Sequence, residues 1–341
     1  MATSVLQENI SLKNFNTFGI DVRCKYFVEV TNVDELITLL DHPVCKELPL
    51  MTLGGGSNIL FTKDFPGVIL KNSFKGISVI KEDQDHVWLQ AMGGEVWHDL
   101  VLYCIDHNYA GIENLSLIPG LVGAAPIQNI GAYGVEVKDV FESLEAVNLT
   151  NSKQQIFSYS DCNFGYRNSV FKNELKGKFI ITSVILKLSK SPTLHLSYGA
   201  INTILEQMGV KDPTIKNVSD AIVSIRLSKL PDPAKIGNSG SFFKNPEINQ
   251  AQFDRVKEQH PNIPSYPASN DQVKVPAGWL IEQCGWKGKR VGNTGSHANQ
   301  ALVLVNYGGA TGTEVRDLAF QIKASVKEKF GLDLTPEVNI V

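Results

Sequence analysis

The chain has 341 residues, of which 43% are hydrophobic and 20% charged, and its net charge is −3. This length exceeds what one hydrophobic core ordinarily serves, so we expect two or three domains. The composition is that of an ordinary globular protein, and the acidic balance argues against general binding to nucleic acid or to anionic membranes.

Targeting segments and metal sites have little support in the sequence. The five cysteines are scattered without a CxxC pair, and the seven histidines form no HExxH or similar ligand pattern. The first residues, MATSVLQENISLKNF, lack the basic and apolar parts of a signal peptide, and no stretch approaches the ~18 apolar residues of a membrane span. We therefore expect a cytoplasmic protein with no metal and with idle thiols in a reducing compartment.

The first predicted region, residues 1–72, alternates strand and helix patterns. A helix is predicted through Leu40, with Asn32 and Glu35 as its capping box. Strands are predicted at 26–30, 48–53 and 67–70. The second of these strands leads directly into the glycine-rich sequence GGGSN (54–58).

The second predicted region, residues 73–227, is richer in strands. Strands are predicted at 87–92, 143–149 and 178–188, and a helix follows Gly93 and Gly94. Between them lies a second stretch dense in Gly, Ala and Pro, LIPGLVGAAPIQNIGAYG (117–134).

The third predicted region, residues 228–331, opens with a connection rich in Pro and Gly. A short helix within 275–288, a strand at 300–306 and a long amphipathic helix follow it. Thr311 and Glu314 mark the start of the long helix and Gly331 its end. The tail 332–341 ends in a strand-like run, LTPEVNIV.

The two glycine-rich loops do not match the common nucleotide-binding motifs. Neither is GxGxxG opening a helix, and neither is GxxxxGK[ST]. Each loop alone is typical of a tight turn. Together they could present backbone N–H groups to one diphosphate, with Ser57, Asn58, Gln128 and Asn129 as further donors.

Few side chains are candidates for chemistry. Ser241 lies in GNSGSFFKNP (237–246), where glycines, small polar residues and two phenylalanines adjoin; we interpret this as a hydroxyl held against an apolar surface, although a turn serine is the simpler reading. Arg167 lies among aromatic residues. Such an arginine can bind a carboxylate through two N–H groups of its guanidinium, or it can lie on the surface stacked on its aromatic neighbours. Glu337 follows a proline near the end of the chain, where a solvated glutamate is the plain alternative. No GxSxG elbow supports a hydrolase.

These pieces, in this order, resemble the UDP-N-acetylenolpyruvoylglucosamine reductase family. The motifs that carry the resemblance are NTFGI, LGGGSNILF, IPGLVGAAPIQNIGAYG, FGYRNSVF, LSYGAI, KLPDP, GNSGSFFKNP, AGWLIEQCG, HANQALVL and PEV. They run from residue 16 to residue 338, nearly the whole chain. The sequence LSYGAI resembles the branch of the family that keeps a substrate-covering tyrosine loop.

The resemblance implies an α+β fold of the vanillyl-alcohol-oxidase or PCMH type, with two α+β FAD-binding subdomains and a C-terminal α/β substrate-binding domain. We expect the subdomains at 1–72, joined by the tail 332–341, and at 73–227, and the substrate-binding domain at 228–331. FAD should be bound noncovalently, because the glycine loops contain no His or Cys. The residues implied to bind FAD are Gly54, Gly55, Gly56, Ser57, Asn58, Pro119, Gly120, Gly123, Ala124, Gln128, Asn129, Gly131, Ala132, Tyr133 and Arg226.

The resemblance also implies the reaction and its catalytic residues. NADPH would reduce the flavin, and the enolpyruvyl group of UDP-N-acetylglucosamine enolpyruvate would then accept hydride at C3 and a proton at C2. Ser241 would supply the proton, while Arg167 and Glu337 would hold the carboxylate end. The residues implied to contact the substrate are Tyr198, Lys229, Asn245 and Gln300.

Two positions depart from many relatives, and two other readings stay open. Leu121 removes a possible side-chain donor to the FAD phosphates, and Ser296 is the second departure; neither touches the implied chemistry. The alternatives are a flavoprotein oxidase of the same superfamily and a regulator that binds UDP-sugars with a vestigial flavin site. We expect a monomer whose partners are small molecules.

Overall fold

The computed structural model describes residues 5–268 and 271–341. The helices are α1 (Val33–Leu40), α2 (Pro43–Glu47), α3 (Trp97–Asp106), α4 (Tyr159–Cys162), α5 (Ile201–Gln207), α6 (Ile215–Lys229), α7 (Gln250–Gln259), α8 (Ala277–Gln283) and α9 (Gly312–Phe330). The strands are β1 (Gln7–Ser11), β2 (Arg23–Val30), β3 (Leu50–Leu53), β4 (Ile59–Leu60), β5 (Phe65–Asn72), β6 (Ile77–Glu82), β7 (His86–Met92), β8 (Gly131–Ala132), β9 (Val135–Glu136), β10 (Phe141–Asn148), β11 (Gln154–Ser158), β12 (Phe179–Ser189), β13 (Gly237–Ser241), β14 (Glu247–Asn249), β15 (Tyr266–Pro267), β16 (Gln272–Lys274), β17 (Arg290–Val291), β18 (Thr294–Ser296), β19 (Val303–Asn306) and β20 (Asn339–Ile340).

The chain divides into two compact units. Unit 1 comprises residues up to Ile10, Arg23–Gly55 and Phe65–Arg226. Unit 2 comprises Ser11–Val22, Gly56–Asp64 and Leu227–Val341. Each unit therefore contains segments that are far apart in sequence.

The first sheet of unit 1 places a glycine-rich loop at the end of a parallel strand. Its order is β1-β2-β5-β3, and both β2 and β3 run parallel to β5. Helix α1 begins where Asn32 accepts a hydrogen bond from the Glu35 N–H, so the predicted cap is confirmed. The apolar faces of α1 and α2 pack on β2 and β5, and the loop 54–58 leaves from the carboxyl end of β3.

The second sheet of unit 1 is antiparallel, in the order β11-β10-β12-β7-β6. Helix α3 covers it with Trp97, Leu100, Val101 and Cys104, which recur at the helical spacing expected of a buried face. The same core contains Val122, Ala125 and Ile130. The second glycine-rich stretch is therefore anchored in the core by its own apolar residues.

Unit 2 contains an antiparallel sheet in the order β13-β19-β18-β17 and the long helix α9. Thr311 and Glu314 form a capping box at the start of α9, and Gly331 ends it in the left-handed conformation, as predicted. A second small sheet has the order β14-β16-β15. Strand β20, in the tail, pairs parallel with β4.

The sequence patterns missed several helices and misread one strand. We predicted no helix over α5, α6 or α7. The sequence 237–241, for which a turn serine was the simpler reading, is strand β13, with a register shift between Asn238 and Ser241. In the part of the chain that the structure describes, no helix has both the length and the apolar character that a membrane crossing requires.

Candidate functional site

The predicted site residues divide between the two units. Those in unit 1 are Gly54, Gly55, Pro119, Gly120, Gly123, Ala124, Gln128, Asn129, Gly131, Ala132, Tyr133, Arg167, Tyr198 and Arg226. Those in unit 2 are Gly56, Ser57, Asn58, Lys229, Ser241, Asn245, Gln300 and Glu337.

In unit 1 the two glycine-rich loops touch backbone to backbone. A Cβ at Gly55 would lie 3.1 Å from the Gly120 Cα, tighter than most real Cβ contacts, so the loops approach each other closely. The Gly123 N–H donates to the Gly93 carbonyl at 2.9 Å, and the Gly120 carbonyl accepts from the Trp97 N–H at 3.0 Å. These bonds fix the backbone of the second glycine-rich loop, which together with Gly54 and Gly55 forms a backbone cradle.

Leu121 contributes no polar group to this cradle. Its side chain is buried, and its Cδ1 lies 3.7 Å from the position that a Cβ on Gly54 would take. The side chain of Leu121 therefore offers no donor at this position.

Asn129 corrects one detail of the prediction. Its side chain is fully buried, and its amide nitrogen donates at 3.0 Å to both the Glu136 carboxylate and the Gly165 carbonyl. Its amide oxygen accepts from the Lys138 N–H at 3.1 Å. The side chain is thus used to hold the loop, and a contact between Asn129 and a cofactor would have to come from its backbone.

Arg167 lies against the second glycine-rich loop. Its guanidinium donates to the Gly131 carbonyl and forms an ion pair with Glu136, 3.7 Å between Nη1 and Oε1. It also lies over the Tyr166 ring, 5.2 Å from the centroid. Because Glu136 also pairs with Lys138 at 2.8 Å, one carboxylate organises several polar groups of this loop.

Tyr133 and Arg226 form a second polar pair in unit 1. The Tyr133 phenol is hydrogen-bonded to the Arg226 guanidinium, and burial raises the pKa of the phenol. Burial lowers the pKa of Arg226, and the phenol opposes that shift. The Nε of Arg226 is buried without a hydrogen-bond partner among the described residues, so it is available to a polar group of a ligand.

In unit 2, Ser241 ends strand β13 at a β-bulge. Gly240 has a φ of +68°, and the Asn238 side chain accepts from the Gly240 N–H at 2.9 Å. The Asn238 amide nitrogen donates to the Pro231 and Ile236 carbonyls, which fixes the entry into the strand. Ser241 is exposed, whereas Phe242 and Phe243 are buried, so the hydroxyl stands at the edge of an apolar core.

Glu337 lies beside the residues that directly follow β13. Its N–H donates to the Phe242 carbonyl at 2.8 Å, and the Lys244 N–H donates to the Thr335 carbonyl at 3.0 Å. The tail is therefore docked rather than frayed. Asn58, from the first glycine-rich loop, donates from its side chain to the Glu337 carbonyl at 3.4 Å and accepts from the Asn339 N–H at 3.1 Å.

The predicted substrate contacts of unit 2 lie on or near helices. The Asn245 side-chain oxygen accepts from the Ala277 N–H at 2.9 Å, at the first turn of α8. The Gln300 side-chain oxygen lies 3.0 Å from the position that a Cβ on Gly278 would take, in the same turn. These contacts bring the two amides to one end of α8. Lys229 is the exposed last residue of α6.

Sequence reasoning missed the residues that position the site. Asn114, His98 and Asn238 bond to backbone groups of the predicted loops, and Glu136 accepts from the Asn129 side chain; none lies in a recognisable chemical motif. The only local signal was their proximity in sequence to the glycine-rich stretches or to Ser241.

Metal and thiol chemistry have no visible basis in the described part of the chain. It contains no group of three or more His, Cys, Asp and Glu that could hold a metal ion. All five cysteines are free, and burial raises the pKa of each thiol, to about 12 for Cys162.

Comparisons with known proteins cover nearly the whole chain. A family model described as FAD binding domain matches residues 24–156, and one described as UDP-N-acetylenolpyruvoylglucosamine reductase, C-terminal domain, matches residues 232–341. Proteins named UDP-N-acetylenolpyruvoylglucosamine reductase are 50% identical in Flavobacterium johnsoniae and 53% identical in Amoebophilus asiaticus, in each case over 98% of this chain and 99% of the relative.

A solved structure shares the fold. The crystal structure of UDP-N-acetylenolpyruvylglucosamine reductase from Thermus caldophilus superposes with a TM-score of 0.70 at 22% identity, covering 99% of each chain. The expected α+β fold, an FAD-binding domain followed by the family's own C-terminal domain, is confirmed.

Proposed function

The chain belongs to the UDP-N-acetylenolpyruvoylglucosamine reductase family, and from this we propose that it reduces UDP-N-acetylglucosamine enolpyruvate to UDP-N-acetylmuramate. NADPH is the electron donor, FAD is the noncovalent cofactor, and the product is a precursor of peptidoglycan. The observation that carries the proposal is that relatives of this name are 50% and 53% identical to this chain over 98% of its length. We place the reaction in the bacterial cytoplasm and expect the enzyme to act as a monomer.

The glycine-rich loops are the part of the molecule that fits FAD. The Gly55–Gly120 contact leaves backbone without side chains, and the buried Nε of Arg226 offers a donor that the described protein does not use. When bound, the flavin would supply to C3 of the enolpyruvyl group a hydride that came from NADPH. The residues of this chain then have to bind the substrate, orient it and provide the second hydrogen.

We assign Arg167 to the substrate carboxylate. Reduction at C3 places negative charge on C2 that spreads into this carboxylate, and a guanidinium fixed in advance stabilises that charge without reorganising. Arg167 is fixed in advance because Gly131 and Glu136 hold its guanidinium.

Glu337 is assigned to the same end of the substrate. It would act as a protonated acid or share a proton, because a second carboxylate lies opposite. Its backbone is held by the Phe242 carbonyl, so its side chain starts from a fixed point.

Ser241 is the proton donor to C2 in this proposal. A serine hydroxyl is a weak acid, but the charge on C2 is strongly basic, so transfer is feasible when distance and angle are held. The bulge at Gly240, the Asn238 bonds and the buried Phe242 behind it hold the backbone of Ser241. The overall change adds hydride at C3 and a proton at C2 and converts NADPH to NADP⁺.

The remaining substrate contacts serve binding. Lys229 supplies positive charge for the diphosphate, which a chain of net charge −3 has to provide locally. Asn245 and Gln300 offer amide N–H groups from the end of α8, and Tyr198 offers a half-exposed ring and hydroxyl.

Product analysis tests the function. Purified protein is incubated with NADPH and UDP-N-acetylglucosamine enolpyruvate, and NADPH consumption is compared with the UDP-N-acetylmuramate formed. We expect one product per NADPH consumed. NADPH oxidation at the same rate with and without the enolpyruvyl substrate, and no product, would favour the oxidase reading instead.

A further inference from the structure

The segment that carries Tyr198 is docked within unit 1. It follows β12 as residues 190–198, and its Leu194 and Leu196 pack against the apolar cluster of α5 and α6. The Tyr198 ring meets the Tyr133 ring edge to face, with centroids 6.2 Å apart at 90°. Tyr198, which the proposed function assigns to the substrate, therefore packs against the second glycine-rich loop.

The buried side-chain amide of Asn114 connects the tyrosine segment (190–198) to the second glycine-rich loop (117–134). Asn114 is completely buried in the short 3-10 turn Glu113–Leu115. Its Nδ2 donates to the Tyr133 carbonyl at 2.9 Å and to the His195 carbonyl at 2.9 Å. Both N–H groups of one planar amide are used, so the spacing of the two carbonyls is set by the shape of that amide.

Tyr133 is held from its other end as well. Its backbone has a φ of +50°, which is costly for a non-glycine residue, and its phenol is bonded to Arg226. Asn114 thus bonds to Tyr133, whose ring and backbone have little freedom. Its second bond, to the His195 carbonyl, holds the tyrosine segment to the same amide.

The orientation of the amide has a cost that stability alone does not explain. The Asn114 Oδ1 is buried without a hydrogen-bond partner among the described residues. A buried acceptor without a partner is unfavourable, and native proteins contain few of them. The two donated bonds therefore indicate a need for this connection between the loop and the tyrosine segment.

We propose that Asn114 is a positioning residue: it fastens the Tyr198 segment at His195 to the glycine-rich loop at Tyr133, and so sets the point from which Tyr198 reaches the enolpyruvyl sugar nucleotide. This inference rests on the proposed function, since it gives Tyr198 its substrate. Asn114 itself touches neither substrate nor reacting atoms in the proposal. Its effect on turnover passes through Tyr198.

A double-mutant cycle with Asn114→Ala and Tyr198→Ala tests this dependence. Alone, Asn114→Ala should raise the KM for UDP-N-acetylglucosamine enolpyruvate about tenfold, as expected for two lost hydrogen bonds. The rate of flavin reduction by NADPH should stay within about twofold of wild type, because binding of the enolpyruvyl substrate is not part of that step. In the Tyr198→Ala background, Asn114→Ala should add little further loss.

The matched control is Ser116→Ala. Ser116 is buried beside the same turn and bonds to the Ser219 hydroxyl and the Glu113 carbonyl, but it does not contact the tyrosine segment. It should lower thermal stability without a selective rise in KM. Asn114→Asp, which keeps the shape and loses both N–H donors, gives a second variant if the alanine protein does not fold.

Limited chymotrypsin digestion provides a readout that is independent of catalysis. Cleavage after Leu196 or Tyr198 should be faster in the Asn114 variants than in wild type and in Ser116→Ala. Three results would each overturn the inference. They are an unchanged cleavage rate in the Asn114 variants, a KM effect of Asn114→Ala that is as large in the Tyr198→Ala background as alone, and faster cleavage with an unchanged KM. Failure of the wild-type protein to form UDP-N-acetylmuramate would instead overturn the proposed function.

Discussion

Several residues of the candidate site adopt backbone conformations that most residues avoid. Asn129, Tyr133 and Arg167 have φ values of +43°, +50° and +51°, and Leu117 has a φ of +58°. Such conformations cost of order 1–3 kcal/mol each and persist where the surroundings hold them. Here side chains supply that support, including the buried Asn114 for Tyr133 and the part-buried His98 for Leu117.

His98 makes the loop that contains Leu117 sensitive to pH. Its Nδ1 accepts from the Leu117 N–H at 3.0 Å, which requires that this nitrogen carry no proton. Burial lowers the pKa of His98, and Arg226 lowers it further while Asp99 opposes the shift. The folded protein therefore binds this proton less readily than the unfolded chain, whose histidine has the ordinary value of 6.5.

Stability should consequently fall as the pH drops below about 6.5 and should be unaffected by His98 at pH 8, where both states are neutral. His98→Asn keeps a side-chain acceptor and removes the titration. Melting temperatures of the two proteins between pH 8 and pH 5 should diverge on the acidic side, with wild type losing more. Parallel curves would show that the His98–Leu117 bond does not control the loop.

Lys229 offers a test of binding at a single position. Lys229→Ala should raise the KM for the enolpyruvyl substrate about tenfold and leave kcat nearly unchanged, because a diphosphate contact away from C2 is similar in ground and transition states. Lys216→Ala is the matched control, since Lys216 is exposed on the same helix and is paired with Asp220 at 2.6 Å. A loss of kcat with unchanged KM would remove Lys229 from the substrate site.

At the scale of elements, the site depends on loops that meet without side chains between them. Within unit 1, the position that a Cβ on Gly55 would take lies only 3.1 Å from the Gly120 Cα, so the two glycine-rich loops approach closely there. A Cβ at Gly54 would instead make ordinary contacts, 3.7 Å from the Leu121 Cδ1. The two neighbouring glycines therefore differ in how much a methyl group would displace.

Gly55→Ala should weaken FAD binding more than Gly54→Ala. The added methyl group meets backbone at 3.1 Å, and backbone yields less readily than the end of a side chain. We expect roughly a tenfold higher Kd for FAD in Gly55→Ala, measured by flavin fluorescence on dilution. Equal losses in the two variants would show that the Gly55–Gly120 approach is not what shapes the cradle.

The docked tail is the second element on which the site depends. Its backbone is bonded to Phe242 and Lys244, which follow β13, and to β4. Glu337→Gln keeps the size and the docking but cannot exchange a proton, so it should retain FAD and accept electrons from NADPH while enolpyruvyl reduction is lost. Deletion of 335–341 should abolish the reaction as well. Turnover near the wild-type rate in Glu337→Gln would contradict its assigned role.

Strong end signals supported the prediction of some helices, but α7 was missed although Asn249 and Gln252 form a capping box at its start. Helix α9 has a capping box at one end and Gly331 at the other. Helix α6 was missed although Val218, Ile222 and Ile225 recur at helical spacing, because Asn217 stands where a capping box normally has Glu or Gln. Strand β13 was not predicted, because a glycine such as Gly240 is typical of turns as well as of β-bulges.

At the scale of the whole molecule, the site residues come from distant parts of the chain. Asn58 and Glu337 are 279 residues apart in sequence and share a hydrogen bond. No local pattern predicts such a contact, and it was the resemblance to a known family that predicted a docked tail. The positioning residues Asn114, His98 and Asn238 had neither source of prediction, since they act on backbone groups that only the fold brings near them.

The central claim is that Ser241 donates the proton that completes reduction of the enolpyruvyl group. An anaerobic two-stage experiment tests it: the protein is first mixed with NADPH until the flavin absorbance is bleached, and UDP-N-acetylglucosamine enolpyruvate is then added. In wild type the flavin should be reoxidised as UDP-N-acetylmuramate forms. In Ser241→Ala the first stage should proceed as in wild type, and the second should be slower by roughly 10²–10⁴-fold, the range expected for loss of a general acid. Equal slowing of both stages, or reoxidation of the variant at the wild-type rate, would contradict the account.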